Sequence, residues 1–340
     1  MKQDIKSMLP DELQAYFESI GERPFRAGQV FKWLHTGVRT FGEMTNLSEN
    51  LRQKLDDEFY ITVPEVDKKQ VSQLDGTVKY LWKTMDGNAI ESVLMRYEHG
   101  NTVCISTQIG CRMGCAFCAS AIGGLVRDLA PSEMLDQVLF SQIESGLKVS
   151  NVVLMGIGEP LDNFDNVIRF LQLLTHPSGM NIGARHITLS TCGIIENIDK
   201  LGGFGIQLTL SVSLHAPDDE TRSRLMPANR NVGIDKLIET CNRYFRNTGR
   251  RVSYEYALID GVNDTPDHAK LLADKLKGSH LNLIPLNDVS ERPLRASSAE
   301  NAKAFAKILD QRGINYTFRR RLGGDIDASC GQLRGRHLKK

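Results

Sequence analysis

Apolar positions along the first sixty residues recur at the spacing of an α-helix. Leu13, Phe17 and Ile20 follow Asp11 and end at Gly21, and Pro24 then opens a second run from Phe25 to Leu34. Phe41, Met44, Leu47, Leu51 and Leu55, spaced by three and four, extend the pattern as a further helical stripe. Residues 1–60 are therefore predicted to form a compact helical domain. Over residues 61–103 the pattern becomes β-like: Tyr80-Leu81-Trp82-Lys83 and Ile90 to Met95 flank Asp86-Gly87-Asn88, a hairpin signal. Residues 104–340 alternate between the two periods. Helices are predicted at 131–145, 165–174, 234–246, 266–276 and 298–312, and strands at 151–155, 186–190, 208–213, 252–258, 281–285 and 315–319. This alternation predicts an α/β fold with a parallel sheet covered by helices, as an open sheet or a barrel.

Composition narrows the class. The chain has 340 residues, 41% apolar and 24% charged, which is ordinary for a globular protein. No run of eighteen apolar residues occurs, and Met1 to Lys6 lacks an apolar signal core, so the expectation is a cytoplasmic protein without a membrane partner. The net charge of +1 excludes only a globally basic nucleic-acid binder. Two stretches, Arg222–Arg251 and Arg312–Lys340, each carry eight basic residues against two acidic ones. For the first, phosphate contact and a solvated helix face weigh about equally; for the second, phosphate contact is favoured.

The seven cysteines change the picture more. Cys104, Cys111, Cys115 and Cys118 crowd into fifteen residues, which points to metal or thiol chemistry rather than to disulfide staples. Cys111, Cys115 and Cys118 form a C-x3-C-x2-C array able to bind three irons of one cluster and leave a fourth open. Structural zinc is the competing reading, but it asks for four ligands in paired spacings, and no second C-x2-C exists. Polar or Gly-rich groups follow several predicted strands: Gly156 to Pro160, Ser190 to Gly193, Ser213 to His215, and Asn287. At the carboxyl ends of parallel strands one ligand can touch them all.

The C-x3-C-x2-C array, with Phe117 before its last cysteine and Gly158-Glu159 downstream, resembles the radical S-adenosylmethionine (SAM) superfamily. The resemblance sharpens in the runs Cys104–Gly110, Met155–Val167, Leu189–Gly193, Ser213–Pro217 and Asp325–Leu333, which look like the RlmN/Cfr family of RNA adenine methyltransferases. Phe25–Gln29 and Phe41–Ser48 match that family's N-terminal domain, so the likeness spans nearly the whole chain. It implies a partial (β/α)6 barrel over 104–340, preceded by the helical accessory domain and a β-rich extension carrying Glu91.

The resemblance also implies the chemistry. Carbon 2 of adenine is an electron-poor ring carbon, so polar methyl transfer fails there. The family scheme gives Cys330 a methyl group from one SAM and uses a second SAM to make the radical. It assigns Glu91 as proton acceptor and Cys104 as the thiol that releases the product through a transient disulfide with Cys330. Cys111, Cys115 and Cys118 would hold one 4Fe-4S cluster; Gly158, Glu159, Ser190, Ser213, Leu214, His215 and Asn287 would bind SAM. Without the family, Glu91 reads as a solvated strand charge and His215 as a structural histidine; Cys192 and Cys241 read as small buried hydrophobes. Implied partners are 23S rRNA at the peptidyl-transferase centre, tRNA at the adenosine beside the anticodon, and an electron donor such as flavodoxin or ferredoxin. Pro160 and Asn163 to Val167 favour the carbon-2 branch over the carbon-8 branch, while the absence of an aromatic before Asn287 departs from the pattern. A zinc-stabilised RNA-binding module is the non-enzymatic alternative.

Overall fold

The computed structural model describes residues 2–287, 289, 291–320 and 322–326; Cys330 and the basic residues Arg321, Arg334, Arg336, Lys339 and Lys340 lie outside the described residues. At the amino end, strand β1 (Gln3–Asp4) precedes helices α1 (Pro10–Ser19), α2 (Phe25–Leu34) and α3 (Glu49–Glu58), and β2 (Phe59–Tyr60) returns to pair with β1 in parallel. Leu13, Phe17, Val30, Phe31, Leu34, Leu51 and Leu55 form its core, as the helical spacing requires. The last stripe divides: Phe41 sits in a short 3-10 turn, and α3 starts only after Ser48, whose hydroxyl caps it by accepting from the Leu51 N–H.

The chain then runs through β3 (Glu65–Val71), β4 (Val78–Lys83), β5 (Ala89–Tyr97) and β6 (Gly100–Cys104), an antiparallel meander. A short hairpin, β7 (Gln108–Gly110) and β8 (Leu125–Asp128), holds the cysteine loop between its strands. Helix–strand alternation follows: α4 (Pro131–Ser145), β9 (Val149–Leu154), α5 (Phe164–Thr175), β10 (Ile187–Thr191), α6 (Ile195–Gly203) and β11 (Thr209–Ser213). It continues with α7 (Asp219–Leu225), α8 (Ile234–Thr248), β12 (Val252–Leu258), α9 (Pro266–Lys275), β13 (His280–Pro285), α10 (Ala299–Gln311) and β14 (Asn315–Phe318). Each predicted element in this half appears within two residues of its expected ends; the short helices α6 and α7 were not anticipated.

Among the described residues ten strands form one sheet in the order β14-β13-β12-β11-β10-β9-β6-β5-β4-β3, parallel from β6 through β14. Six of the parallel strands, β6 and β9 to β13, are each followed by a helix, and β14 is appended at the edge, so the expected partial (β/α)6 barrel is present. The sheet curls: Glu91 and Val93 on β5 line one cavity together with Ile284 and Pro285 on β13, although five strands stand between them. Along β12, Tyr254, Tyr256 and Leu258 pack into the outer core, while Ser253, Glu255 and Ala257 line cavities inside. Period-two alternation thus makes the barrel interior polar.

The edge strands β3 and β14 do not pair. The turn after β3 instead holds the segment after β14: the Ser72 hydroxyl and Gln73 N–H donate to the two carboxylate oxygens of Asp325 (2.6 and 2.8 Å), and the Gly323 N–H donates to Asp75 (2.8 Å). The helical domain is fixed by Lys6, fully buried, whose ammonium lies 2.7 Å from Asp136 on α4 and donates to the Thr62 carbonyl.

Candidate active site

Cys111, Cys115 and Cys118 lie in the loop between β7 and β8, at the carboxyl-end mouth of the barrel, and all three line a cavity of about 300 Å³. The loop begins at Gly110, whose φ of +82° and whose missing Cβ are both required: a Cβ there would lie 1.9 Å from the Gly124 carbonyl oxygen. Arg112 grips Asp162, in the loop before α5, with two guanidinium nitrogens at 2.6 and 2.8 Å. Gln108 spans the same gap, donating to Asp128 and Asp162 and accepting from the Glu159 N–H. The Ala116 N–H donates to the Leu225 carbonyl at the end of α7. Two segments distant in sequence, 159–162 and the end of α7 at Leu225, therefore join the flanking hairpin in fixing the cysteine loop.

The thiols suit an iron cluster. Burial pushes the Cys111 thiol up to about 11 and that of Cys115 higher still, with neighbouring thiols adding repulsion. Two such groups become thiolates near pH 7 only when a cationic centre is seated among them. Among the described residues no three or more His, Cys, Asp or Glu side chains converge as ligands of a single metal ion. Cys104, which could supply a fourth thiol to a zinc site, opens onto a different cavity from the other three thiols. What they share is one concave wall, the arrangement asked of a cluster that binds each cysteine at a separate iron.

Six of the seven residues expected to bind SAM line that wall: Gly158, Glu159, Ser190, Ser213, His215 and Asn287. Leu214 is different; its side chain is buried in the outer core, and its backbone bridges the Glu255 carbonyl and the Arg222 guanidinium. Gly158 has φ +108°, and a Cβ on it would sit 2.7 Å from the Gln108 backbone nitrogen. Buried Glu159 accepts from the Cys192 and Leu161 N–H groups at 2.7 and 3.1 Å, which fixes both oxygens; burial raises its pKa and these bonds oppose the rise. His215, at φ +57°, accepts from the Ala257 N–H through Nδ1, so its proton resides on Nε2. Burial, with Arg222 nearby, pulls its pKa down to about 3, so the ring is neutral; Phe117 of the cysteine loop meets it edge-on at 4.8 Å.

A second cavity, of about 220 Å³, shares Met155, Gly156, Ile284, Pro285, Asn287 and Arg319 with the first. Glu91 and Cys104 both line it, as do Tyr97, Arg319 and Arg320. Glu91 is no solvated strand charge: it is 3% exposed, and the ammonium of Lys79, fully buried on β4, stands 2.7 Å from its Oε2. Burial raises the Cys104 pKa, with Arg319 pulling the other way.

Three residues that sequence reasoning missed or misread complete the site. Arg222, counted above in a basic stretch, is buried; its guanidinium donates to the carbonyls of Cys192, Ser213 and Leu214 and to Asn229. It ties the loops after β10 and β11 together. Arg243 of the same stretch is half-buried and paired with Asp199 at 2.7 Å. Lys79 gave no signal in sequence, whereas Glu255 did: it stands between Tyr254 and Tyr256 in a predicted strand, which aims it inward, and there it accepts from Ser211 and Asn282. Cys241 is buried, as expected; Cys192 is buried but lines the first cavity.

A barrel of this topology, with three cysteines in the loop after its first strand and a Gly-Glu after the next, defines a radical SAM enzyme, and residues 105–276 match the model of the radical SAM superfamily. Residues 3–61 match the ribosomal RNA large subunit methyltransferase N-terminal domain. The chain is 50% identical to a "Probable dual-specificity RNA methyltransferase RlmN" of Lachnoclostridium phytofermentans, over 100% of this chain and 96% of the relative. A protein of the same description from Alkaliphilus oremlandii is 49% identical, with 99% of each chain covered. The crystal structure of a radical SAM methyltransferase from Sphaerobacter thermophilus superposes with a TM-score of 0.92 at 41% identity, covering 97% of this chain and 98% of that one. The chain belongs to the RlmN family of radical SAM RNA methyltransferases. Membership brings SAM and a 4Fe-4S cluster as cofactors and RNA as substrate. Among the described residues no helix is long and apolar enough to cross a membrane.

Proposed function

We propose that this enzyme methylates carbon 2 of adenosine in 23S rRNA at the peptidyl-transferase centre, and of the adenosine beside the anticodon in tRNA, acting in the cytoplasm with an electron donor such as flavodoxin or ferredoxin. The observation that carries the reading is the pair of adjoining cavities: Cys111, Cys115, Cys118 and the SAM-binding residues line one, Glu91 and Cys104 line the other, and both share Met155, Gly156 and Asn287. When bound, the cluster and SAM supply a 5′-deoxyadenosyl radical.

The chain's own groups do the rest. Cys111, Cys115 and Cys118 hold the cluster; Glu159, Ser190, Ser213, His215 and Asn287 orient SAM, with the neutral His215 ring held by Phe117 and the Ala257 N–H. Cys330 carries a methyl group taken from a first SAM, so two SAM molecules are used per turnover. After hydrogen-atom loss that methyl carbon bonds to the adenine carbon; Glu91 takes the proton from that ring carbon, and the electron given up by the adduct would return to the oxidised 4Fe-4S cluster held by Cys111, Cys115 and Cys118. The Cys104 thiolate then attacks the Cys330 sulfur; the sulfur–carbon bond breaks with its electron pair on the carbon, which takes up a proton, and a disulfide remains for reduction. Arg319 and Arg320 at the second cavity give phosphate a place to dock, and chemistry at a base carbon inside the barrel requires the target base to leave its stack.

The test is nucleoside mass analysis of digested rRNA and tRNA after reaction. Formation of 2-methyladenosine is expected in both; 8-methyladenosine without 2-methyladenosine overturns the assignment. Stoichiometric zinc in place of iron and sulfide after anaerobic purification overturns the enzyme reading altogether.

A further inference from the structure

The segment leading towards Cys330 is held at one described place. The Ser72 hydroxyl and the Gln73 N–H bind the two carboxylate oxygens of Asp325 at 2.6 and 2.8 Å, and the Gly323 N–H binds Asp75 at 2.8 Å. The turn is built for this. The Leu74 and Asp75 N–H groups donate to the Ser72 hydroxyl oxygen, and the Thr77 N–H donates to the other carboxylate oxygen of Asp75. Burial works against the Asp75 charge, yet the Gly323 and Thr77 bonds bring its pKa down to about 2. Asp325 is likewise lowered, chiefly by the Ser72 hydroxyl.

Two neighbours of this junction reach the reaction cavity: Thr77, at the end of the turn, and Leu322, beside Gly323, line it together with Glu91 and Cys104. The junction therefore stands at the rim of that cavity. From Asp325 to Cys330 is five residues, which span at most about 17 Å when fully extended.

We propose that the β3–β4 turn is a positioning latch for the segment that leads to the methyl-carrying cysteine, in which Ser72 and Asp75 hold Asp325 and Gly323 at the rim of the reaction cavity. The assignment rests on Cys330 being the methyl carrier. It gives Asp325, the first residue of the Asp325–Leu333 run, a function of its own. It also explains why the edges of the sheet meet through side-chain and backbone donors rather than through a strand pair. Glu91 lies on β5, which pairs with β4, so one three-stranded meander carries both the base and the latch. Ser72, Asp75 and Asp325 are positioning residues; none enters the chemistry.

The experiment uses the full chain with its cluster reconstituted, and measures two products together: methylated adenosine in RNA and 5′-deoxyadenosine from SAM. A displacement of about 1 Å far from the chemistry costs about a hundredfold in rate. Ser72→Ala and Asp325→Ala are expected to lower RNA methylation by about tenfold or more while 5′-deoxyadenosine formation stays within about twofold, so that SAM cleavage becomes uncoupled. Ser72→Thr, which keeps the hydroxyl, restores coupling, and the double variant is no worse than Asp325→Ala alone. Unchanged methylation, or methylation and SAM cleavage falling in parallel, overturns the latch. A Cys330→Ala control separates the two layers: if it still methylates RNA, the methyl-carrier reading has failed and the latch falls with it, whereas an inactive control alongside fully coupled Ser72→Ala refutes the latch alone.

Discussion

Replacing Lys79 by Met removes one half of a fully desolvated ion pair. With 2.7 Å between Lys79 Nζ and Glu91 Oε2, the attraction is about 6 kcal/mol at an effective dielectric of about 20. Taking both ions out of water costs several kcal/mol each, so the intact pair contributes little net stability. Breaking it is another matter, because Glu91 stays buried at 3% exposure with its charge no longer balanced by Lys79. A loss of about 3–5 kcal/mol is expected for Lys79→Met. The double variant Lys79→Met/Glu91→Leu removes both charges from the same space and should recover most or all of that loss. Urea denaturation of the full chain, followed by circular dichroism, compares the midpoints and slopes. If Lys79→Met costs less than about 1 kcal/mol, or if the double variant is as unstable as the single one, the pair is not the desolvated unit described here. The pair thus adds little net stability, and what it provides is an oriented carboxylate at the cavity that Cys104 also lines.

Further outcomes follow from the same geometry. Cys104→Ala is expected to accumulate a covalent protein–RNA species, seen as a shifted band after denaturing electrophoresis; free methylated RNA at the wild-type rate removes Cys104 from the scheme. Gly158→Ala places a Cβ 2.7 Å from the Gln108 nitrogen at φ +108°, so calorimetry should show SAM affinity of the reconstituted protein falling about tenfold or more, with iron content preserved. Buried His35, whose Nδ1 contacts the Phe31 carbonyl, has its pKa lowered by burial from 6.5 to about 4. The unfolded chain therefore takes up a proton first as pH falls, so stability present above pH 6.5 is lost as pH falls towards 4, and His35→Gln should flatten that slope in denaturation curves.

Much of the architecture was legible because periodicity reports burial. Strand 252–258 and helix 131–145 were placed to the residue from apolar spacing alone. The cysteine loop and the Gly-Glu turn were legible for another reason: cluster and ligand chemistry need fixed residue types at short, fixed spacings. What escaped was created by long-range convergence. Arg222 reads as one more surface cation in Asp219-Glu220-Thr221-Arg222, yet carbonyls from two loops meet at its guanidinium. Lys79 likewise stands just before the predicted β-run Tyr80–Lys83, and its burial is balanced by Glu91 on the neighbouring β5. Asp325 could be quoted as part of a motif, but its partners Ser72 and Gln73 lie some 250 residues earlier, beyond any local pattern.

The sharpest test follows the methyl group itself. Enzyme whose Cys330 has been methylated from SAM bearing a trideuterated methyl is freed of that SAM, then given unlabelled SAM, reductant and RNA for one turnover. If the methyl travels through Cys330, loses one hydrogen isotope and regains a proton on release by Cys104, the 2-methyladenosine formed carries two deuterium atoms and one protium. A methyl with three deuterium atoms would mean transfer without hydrogen loss, and one with none would mean direct delivery from the second SAM; either result contradicts the account.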